Sequence, residues 1–222
     1  MKKKVLSMGM VCVILLGILC GCGGGTASGG GCKTEDELME TIMTAMYKDK
    51  DASKIYDLIY EERQVAIEEN AKEHGIYGTD VIIANMQSDL DNVLDEITRK
   101  IGEGWNYDSI WSGYDEKHYV ENSEEEWYDI LKFNNIWRQS GMEDFTAEEG
   151  MVIRLVAYFK TSDGEIATDT NSVYTYIDES TGEEKSIFGA EWTYVLAKVD
   201  GKWYLMEFDT SYSWLDHVMI TS

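Results

Sequence analysis

The sequence contains no proline, and it has only four cysteines and three histidines in 222 residues. Without proline, glycine and Asp or Asn must form every turn, since their backbones tolerate the conformations that turns require. The histidines, His74, His118 and His217, have no ligand partner at helical or hairpin spacing. We therefore expect no zinc site. The sequence also lacks a nucleophile elbow, a Gly-rich phosphate loop and a catalytic cysteine pattern, and it predicts no cofactor.

Basic residues are scarce: 19 Lys and Arg stand against 42 Asp and Glu, which gives a net charge of −23. Nucleic acids attract Lys and Arg through their phosphates, so we expect no nucleic-acid partner. The acidic charge favours solubility, and the binding of cations is the alternative use for it.

Long apolar runs are absent except for Met10 to Cys20, MVCVILLGILC. This run is too short to span a bilayer, which takes about 20 apolar residues. Lys2, Lys3 and Lys4 precede it, and this arrangement is typical of a signal peptide. No later run is comparable, and we expect no transmembrane helix in the mature chain.

The four residues Leu19-Cys20-Gly21-Cys22 resemble the cleavage box of bacterial lipoproteins. In that family a leucine stands three residues before the modified cysteine and a small residue stands directly before it. The resemblance implies a diacylglyceryl thioether on Cys22, with acyl chains of the palmitate type. It also implies a signal peptide over 1–21 and attachment to the cell membrane on the extracytoplasmic side of a bacterium. An ordinary secretory signal with incidental cysteines is the alternative.

Cleavage before Cys22 would leave 201 residues with 16 basic and 42 acidic side chains, a net charge of −26. Residues 22–33 read as a glycine-rich tether, and 34–222 as a single domain. Cys32 would be the only remaining free thiol, placed in the tether outside the folded part. An internal disulfide framework is then excluded.

Helical periodicity dominates the first part of the domain. Thr34 and Glu37 form a capping box that begins a helix to about Lys48, and Lys50-Asp51 ends it. Three more helices are predicted over 52–60, 62–74 and 79–101, the last two closed by Gly75 and Gly102. A further helix is predicted from Ser123 over SEEEWYDILKFNNIW.

Strand patterns dominate the rest. Residues 105–120 indicate a strand or a hairpin, and 151–159 and 172–177 two further strands, with DESTGEEK as a solvated loop. Asp200-Gly201 joins two strands at 192–199 and 202–208, a strong hairpin signal. Helices followed by an antiparallel meander predict an α+β fold.

Two stretches, TIMTAMYKDKDASKIYDLI and YVLAKVDGKWYLMEF, resemble the opening helices and final hairpin of cystatin-like proteins, the superfamily of nuclear transport factor two and SnoaL-like proteins. The resemblance implies N-terminal helices packed on a curved antiparallel sheet that encloses a cone-shaped cavity. Enzymes of this superfamily often hold an acid and a histidine inside the cone.

Asp108 and His118 are the one nearby pair of that kind, and they would share a sheet face if their segment were one straight strand. Aromatic residues are abundant, with 7 Trp and 14 Tyr. They serve either as core packing or as a pocket lining. The candidate pocket residues are Trp105, Tyr107, Asp108, Trp111, His118, Tyr158 and Trp192.

These observations favour a lipid-anchored extracytoplasmic binding or interaction domain that is not an enzyme. Its partners would be the membrane, through Cys22, and a small molecule or an envelope protein. Two alternatives remain open: a small-molecule cavity enzyme of the cystatin-like superfamily that uses a buried acid and histidine, and a lipoprotein that captures sugars or peptides.

Overall fold

The fold is α+β, with helices preceding an antiparallel sheet. A computed structural model of the chain describes residues 30–112, 118–120, 147–170, 172, 174–178 and 180–208. Cys22, His217 and the helix predicted from Ser123 lie outside these residues. Among the described helices, none has the length and apolarity needed to cross a bilayer.

The described part of the first half contains four α-helices and one π-helix, in the order α1 (Glu35–Met43), the π-helix (Thr44–Asp49), α2 (Ala52–Tyr56), α3 (Glu61–Glu73) and α4 (Thr79–Ile101). The Thr34 hydroxyl accepts a hydrogen bond from the Glu37 N–H at the start of α1, which confirms the predicted N-cap. Lys50 ends the π-helix in the left-handed conformation, at φ 56°. The predicted start of α4 and the closing glycine of that helix are also confirmed.

The main sheet has the strand order β1-β3-β6-β7, with β2 paired to β3 as well. The strands are β1 (Asn106–Ser112), β2 (His118–Val120), β3 (Glu149–Lys160), β6 (Gly189–Val199) and β7 (Lys202–Phe208), and every pair is antiparallel. Asp200 and Gly201, at φ 49° and 72°, form the predicted tight turn between β6 and β7.

A second, two-stranded sheet lies in the segment between β3 and β6. It pairs β4 (Thr175–Ile177) with β5 (Glu184–Ser186). The prediction of a solvated loop over 178–185 is therefore wrong at its end, because Glu184 and Lys185 belong to β5. The residues of β5 are all polar, so their sequence does not predict a strand. Only their pairing with β4 shows that they form one.

Side chains of successive β6 residues alternate between two hydrophobic clusters. Tyr194 and Leu196 pack into the larger cluster with the helices, while Val195 and Ala197 join a smaller cluster with Tyr204. All the described helices contribute to the larger cluster, and Ala66 of α3 also packs into the smaller one, so a period of two along β6 supplies both clusters.

The segment from Gly30 to Cys32 belongs to the folded part. Cys32 forms a two-hydrogen-bond bridge with Trp203 of β7, with N···O distances of 2.9 and 2.7 Å. Its side chain is 8% exposed. Gly31 lies against the Tyr204 ring so closely that a Cβ atom there would come within 2.5 Å of the ring. The expectation that Cys32 lies outside the fold is wrong, because this glycine allows the backbone to reach the edge of β7.

Candidate functional site

A groove of about 390 Å³ lies between the C-terminal half of α4 and the start of β6. Sites for small molecules in proteins usually have volumes of about 300 to 1,000 Å³ and largely apolar walls. Most of the wall here is apolar, and its polar residues are Asn92, Glu96 and Glu191. Glu191 pairs with Val156 of β3, so its side chain points to the face of the sheet opposite that of Trp192. The lining residues are Asn92, Val93, Glu96, Ile97, Phe188, Ala190, Glu191 and Trp192.

The helical side of the groove follows from the spacing of the α4 residues. Val93 and Ile97 are four residues apart, so they lie one above the other on one face of the helix. Ile97 is buried in the larger hydrophobic cluster, and Val93 is partly buried against it. Asn92 and Glu96 have the same spacing and form the neighbouring polar edge. The sheet side is Phe188 to Trp192, where β6 begins.

Trp192 is held in place by Tyr47 of the π-helix. The indole Nε1–H of Trp192 donates to the Tyr47 hydroxyl at 2.9 Å, and Tyr47 is fully buried. Burial raises the pKa of Tyr47 well above its usual range, so this phenol stays protonated at neutral pH. π-helical turns occur frequently at functional sites, and this one places the residue that orients the groove tryptophan.

A cluster of aromatic rings fills the space behind the groove. Phe159 is at its centre, with ring centroids 5.1 Å from Tyr47, 5.3 Å from Trp105 and 5.7 Å from Phe188. Tyr47 also stacks on Tyr107 at 5.8 Å. Such pairs contribute about 0.5–1.5 kcal/mol each beyond their burial. Phe188 belongs to both the cluster and the groove, so the inner wall of the groove is rigidly supported.

Two lysines contact this cluster through the faces of its rings. The Lys48 Nζ lies 5.1 Å from the centroid of Tyr107, and the Lys50 Nζ lies 4.4 Å from that of Trp105. Both distances fall within the range of cation–π attraction. One face of Tyr107 and one face of Trp105 are therefore each in contact with a lysine ammonium group.

Of the predicted pocket residues, Trp192 lines the groove, and Trp105 and Tyr107 pack behind it in the ring cluster. The Trp105 Nε1–H donates to the Thr98 hydroxyl at 2.8 Å, which fastens the start of β1 to α4. The Tyr107 hydroxyl is buried without a hydrogen-bond partner in the described structure. Burial raises its pKa strongly.

Tyr158 lies away from the groove. It is the neighbour of Phe159 on β3 and therefore points to the opposite face of the sheet. Its ring contacts Tyr174 at 6.3 Å, and burial raises the pKa of Tyr158 to about 12.

Asp108 and His118 are on two different strands, which both pair with β3. Asp108 lies in the irregular step of β1 opposite Tyr158 and Phe159, whereas His118 lies opposite Val152. At 3.3 Å per residue, these positions are about 20 Å apart along β3. Asp108 forms an ion pair with Lys160 at 2.6 Å. Among the described residues, the acid and the histidine are therefore too far apart to act as one pair. Trp111 is in β1, and the side chains of Trp111 and His118 lie outside the description.

The site residues that the sequence did not predict are Tyr47, Phe188 and the α4 edge. Tyr47 and the α4 apolar residues follow the periodicity of ordinary core positions, so nothing in their spacing marks a groove. The described residues contain no group of three or more His, Cys, Asp and Glu side chains placed to hold a metal ion. No protein-family model, curated protein or solved structure matches the chain.

Proposed function

We propose that this protein is a non-catalytic binding domain, held on the extracytoplasmic side of the membrane by a lipid on Cys22. We further propose that it takes its ligand in the groove between α4 and β6. The observation that carries the second part is the groove itself, with a half-buried Trp192 whose indole N–H is already bound to Tyr47. The ring of this tryptophan is thereby oriented before any ligand arrives, and such preorganisation reduces the entropic cost of binding.

The position of the groove relative to the start of the fold supports this proposal. The described residues begin at Gly30; Cys32 pairs with Trp203, and Trp203 pairs with Lys198 near the end of β6. Trp192 is six residues back along the same strand, a distance of about 20 Å. A lipid attached upstream of Gly30 would therefore hold the other end of the sheet near the membrane and leave the groove facing outward.

We also propose that the fold is a variant of the cystatin-like architecture. Helices that precede an antiparallel sheet and pack mainly into the larger of its two hydrophobic clusters support this assignment. The interior position that the superfamily uses as a cavity would here be occupied by the ring cluster around Phe159. A filled interior favours a binding domain over a cavity enzyme.

The anchor is tested by expression in a bacterium with and without globomycin, which blocks lipoprotein signal cleavage. We expect processing of the wild-type chain to stop, and we expect a Cys22→Ala chain to lose its acyl label and leave the membrane fraction. A Cys20→Ala chain is the matched control and should still be acylated. Membrane retention of Cys22→Ala without acylation would contradict the proposal.

The groove is tested by NMR on the full chain in a non-ionic detergent. A Trp192→Phe chain identifies the indole N–H signal of Trp192, and a fragment library of mixed charge is then added. We expect a subset of fragments to shift this signal while leaving that of Trp203 unchanged. If no fragment shifts Trp192, the groove is not a binding site.

A further inference from the structure

We infer that the groove is covered by a later part of this same chain: residues 209–222 dock into it and must leave before a ligand enters. The second half of this inference rests on the proposed binding function of the groove. The structure describes the chain up to Phe208, the last residue of β7. The segment 209–222 follows directly in the sequence.

The end of β7 lies beside the groove. Phe208 is opposite Tyr194 in the register of β6 and β7, and Trp192 is two residues further along β6. Two residues of a strand span about 7 Å. In the described pairing, β6 extends past the end of β7 by the residues 189–193. Those residues include most of the sheet side of the groove, so the segment begins next to it.

The segment is long enough to cross the groove. Trp214 is six residues after Phe208, and six extended residues span about 20 Å. The far end of the groove lining, Phe188, is also six residues from Tyr194, the partner of Phe208. Trp214 and the residues after it can therefore reach every part of the wall.

The apolar residues in the second half of the segment have a helical spacing. At about 100° per residue, four of them fall within an arc of about 140° on one side of a helix, and Asp216 and His217 fall on the other side. A stripe of this width is typical of a helix that packs on an apolar surface. The four residues are Trp214, Leu215, Val218 and Met219.

The groove provides an apolar surface with little free polar chemistry. The Glu96 carboxylate is bound by Arg99 at 2.8 and 2.5 Å, and the Trp192 indole N–H is bound by Tyr47. These polar groups already have partners, so the wall favours an uncharged apolar occupant. Its partly buried apolar side chains are those of Val93, Phe188, Ala190 and Trp192.

The covalent connection to β7 favours this occupant over a free molecule. A short flexible connection gives the attached group an effective concentration of about millimolar. A ligand of the groove must compete with the segment, which lowers its apparent affinity. The segment would thus act as an internal competitor that sets how tightly a ligand must bind.

The docking is tested by nuclear Overhauser contacts in the full chain in a non-ionic detergent. We expect the ring protons of Trp214 to contact the methyl groups of Val93 or Ile97, which form the apolar α4 side of the groove. A Trp214→Phe chain identifies the Trp214 signals. A mixture of two differently labelled chains shows whether the contact lies within one chain, as we expect, or between two copies.

Two matched variants test the competition. Leu215→Ser removes an apolar residue of the stripe, and Asp216→Ser changes the polar residue beside it. We expect Leu215→Ser to shift the Trp192 indole signal and to raise the affinity of groove-binding fragments at least about threefold, because the segment leaves the groove more often. Asp216→Ser should behave as the wild type. An unchanged Trp203 signal, from the other end of the sheet, shows that both variants are folded.

The outcomes separate this inference from the proposed function. Absence of a contact between Trp214 and α4, or a contact only between two copies, would overturn the inference. Equal fragment affinities of Leu215→Ser and Asp216→Ser would overturn it as well. If no fragment shifts Trp192 in any chain, including Leu215→Ser, the proposed binding function fails, while the Trp214 contact still decides the docking.

Discussion

Replacing Arg63 by Met should destabilise the fold more than almost any other single substitution. Arg63 of α3 and Glu207 of β7 are both completely buried, and the Arg63 Nη2 donates to the Glu207 carboxylate at 2.7 Å. The Arg63 Nε–H also donates to the Met206 carbonyl at 3.3 Å. Among the described residues, this pair is the main polar connection between α3 and β7.

The size of the effect follows from burial. Removing one partner of a buried pair leaves the other charge uncompensated in the interior, which costs about 3–5 kcal/mol. The free energy of unfolding of a domain is about 5–15 kcal/mol, so the loss is a large share of it. A domain of this size changes its Tm by about 2–4 °C per kcal/mol, and we expect a decrease of about 6–20 °C.

The measurement is urea unfolding followed by far-ultraviolet circular dichroism. The double variant Arg63→Met/Glu207→Leu should recover most of the loss, because two apolar side chains of similar size can replace a buried ion pair. Lys54→Met is the exposed control: its pair with Asp49 is on the surface, and exposed pairs contribute about 0–1 kcal/mol. A loss below about 1 kcal/mol for Arg63→Met, or a double variant no more stable than the single one, would refute the reasoning.

Three further predictions concern the site and its surroundings. Tyr47→Phe removes the acceptor of the Trp192 indole N–H, and it should destabilise the fold by about 1–3 kcal/mol in urea unfolding; the effect should vanish in a Trp192→Phe background. Burial raises the pKa values of Tyr47 and Tyr107 above their unfolded value near 10, so their contribution to stability is complete below pH 10 and is lost as the pH rises further. The tyrosinate absorbance that the substitutions Tyr47→Phe and Tyr107→Phe remove should therefore appear only as the protein unfolds, and its appearance before the loss of the circular dichroism signal would contradict this reasoning. Gly31→Ala pushes a Cβ into the Tyr204 ring, so alkylation of Cys32, followed by mass spectrometry, should become faster; an unchanged rate would mean that the ring moves aside without releasing the segment.

Within the described residues, local signals in the sequence predicted the main hairpin and most helix ends, although the helix predicted over 52–60 ends at Tyr56. Thr34 as an N-cap, the glycines after α3 and α4, and Asp200-Gly201 each act through hydrogen bonds or φ values of nearby residues. Such signals need no knowledge of the remaining chain. They therefore identify where elements begin and end, and the α+β class follows from their order.

Features that depend on distant partners were not predictable in this way. The glycine-rich composition around Gly31 is that of a linker, and only the approach of Tyr204 from β7 shows why glycine is required. β5 exists through its pairing with β4. Trp192 was among the predicted pocket residues, but the α4 residues that face it were not. The sequence of an apolar helical face does not show which part of that face the sheet leaves uncovered.

The docking of Gly30 to Cys32 on β7 determines how far an anchored protein could travel. With a lipid on Cys22, only the seven residues 23–29 would separate the anchor from the fold. The eight Cα–Cα steps from Cys22 to Gly30 span at most about 27 Å when fully extended. The average end-to-end distance of a flexible glycine-rich chain of that length is about 16 Å. The domain would thus stay within roughly its own radius of the bilayer and drift with its lipid. It would sample only the thin layer of solution directly above the membrane, where a soluble ligand must come to it.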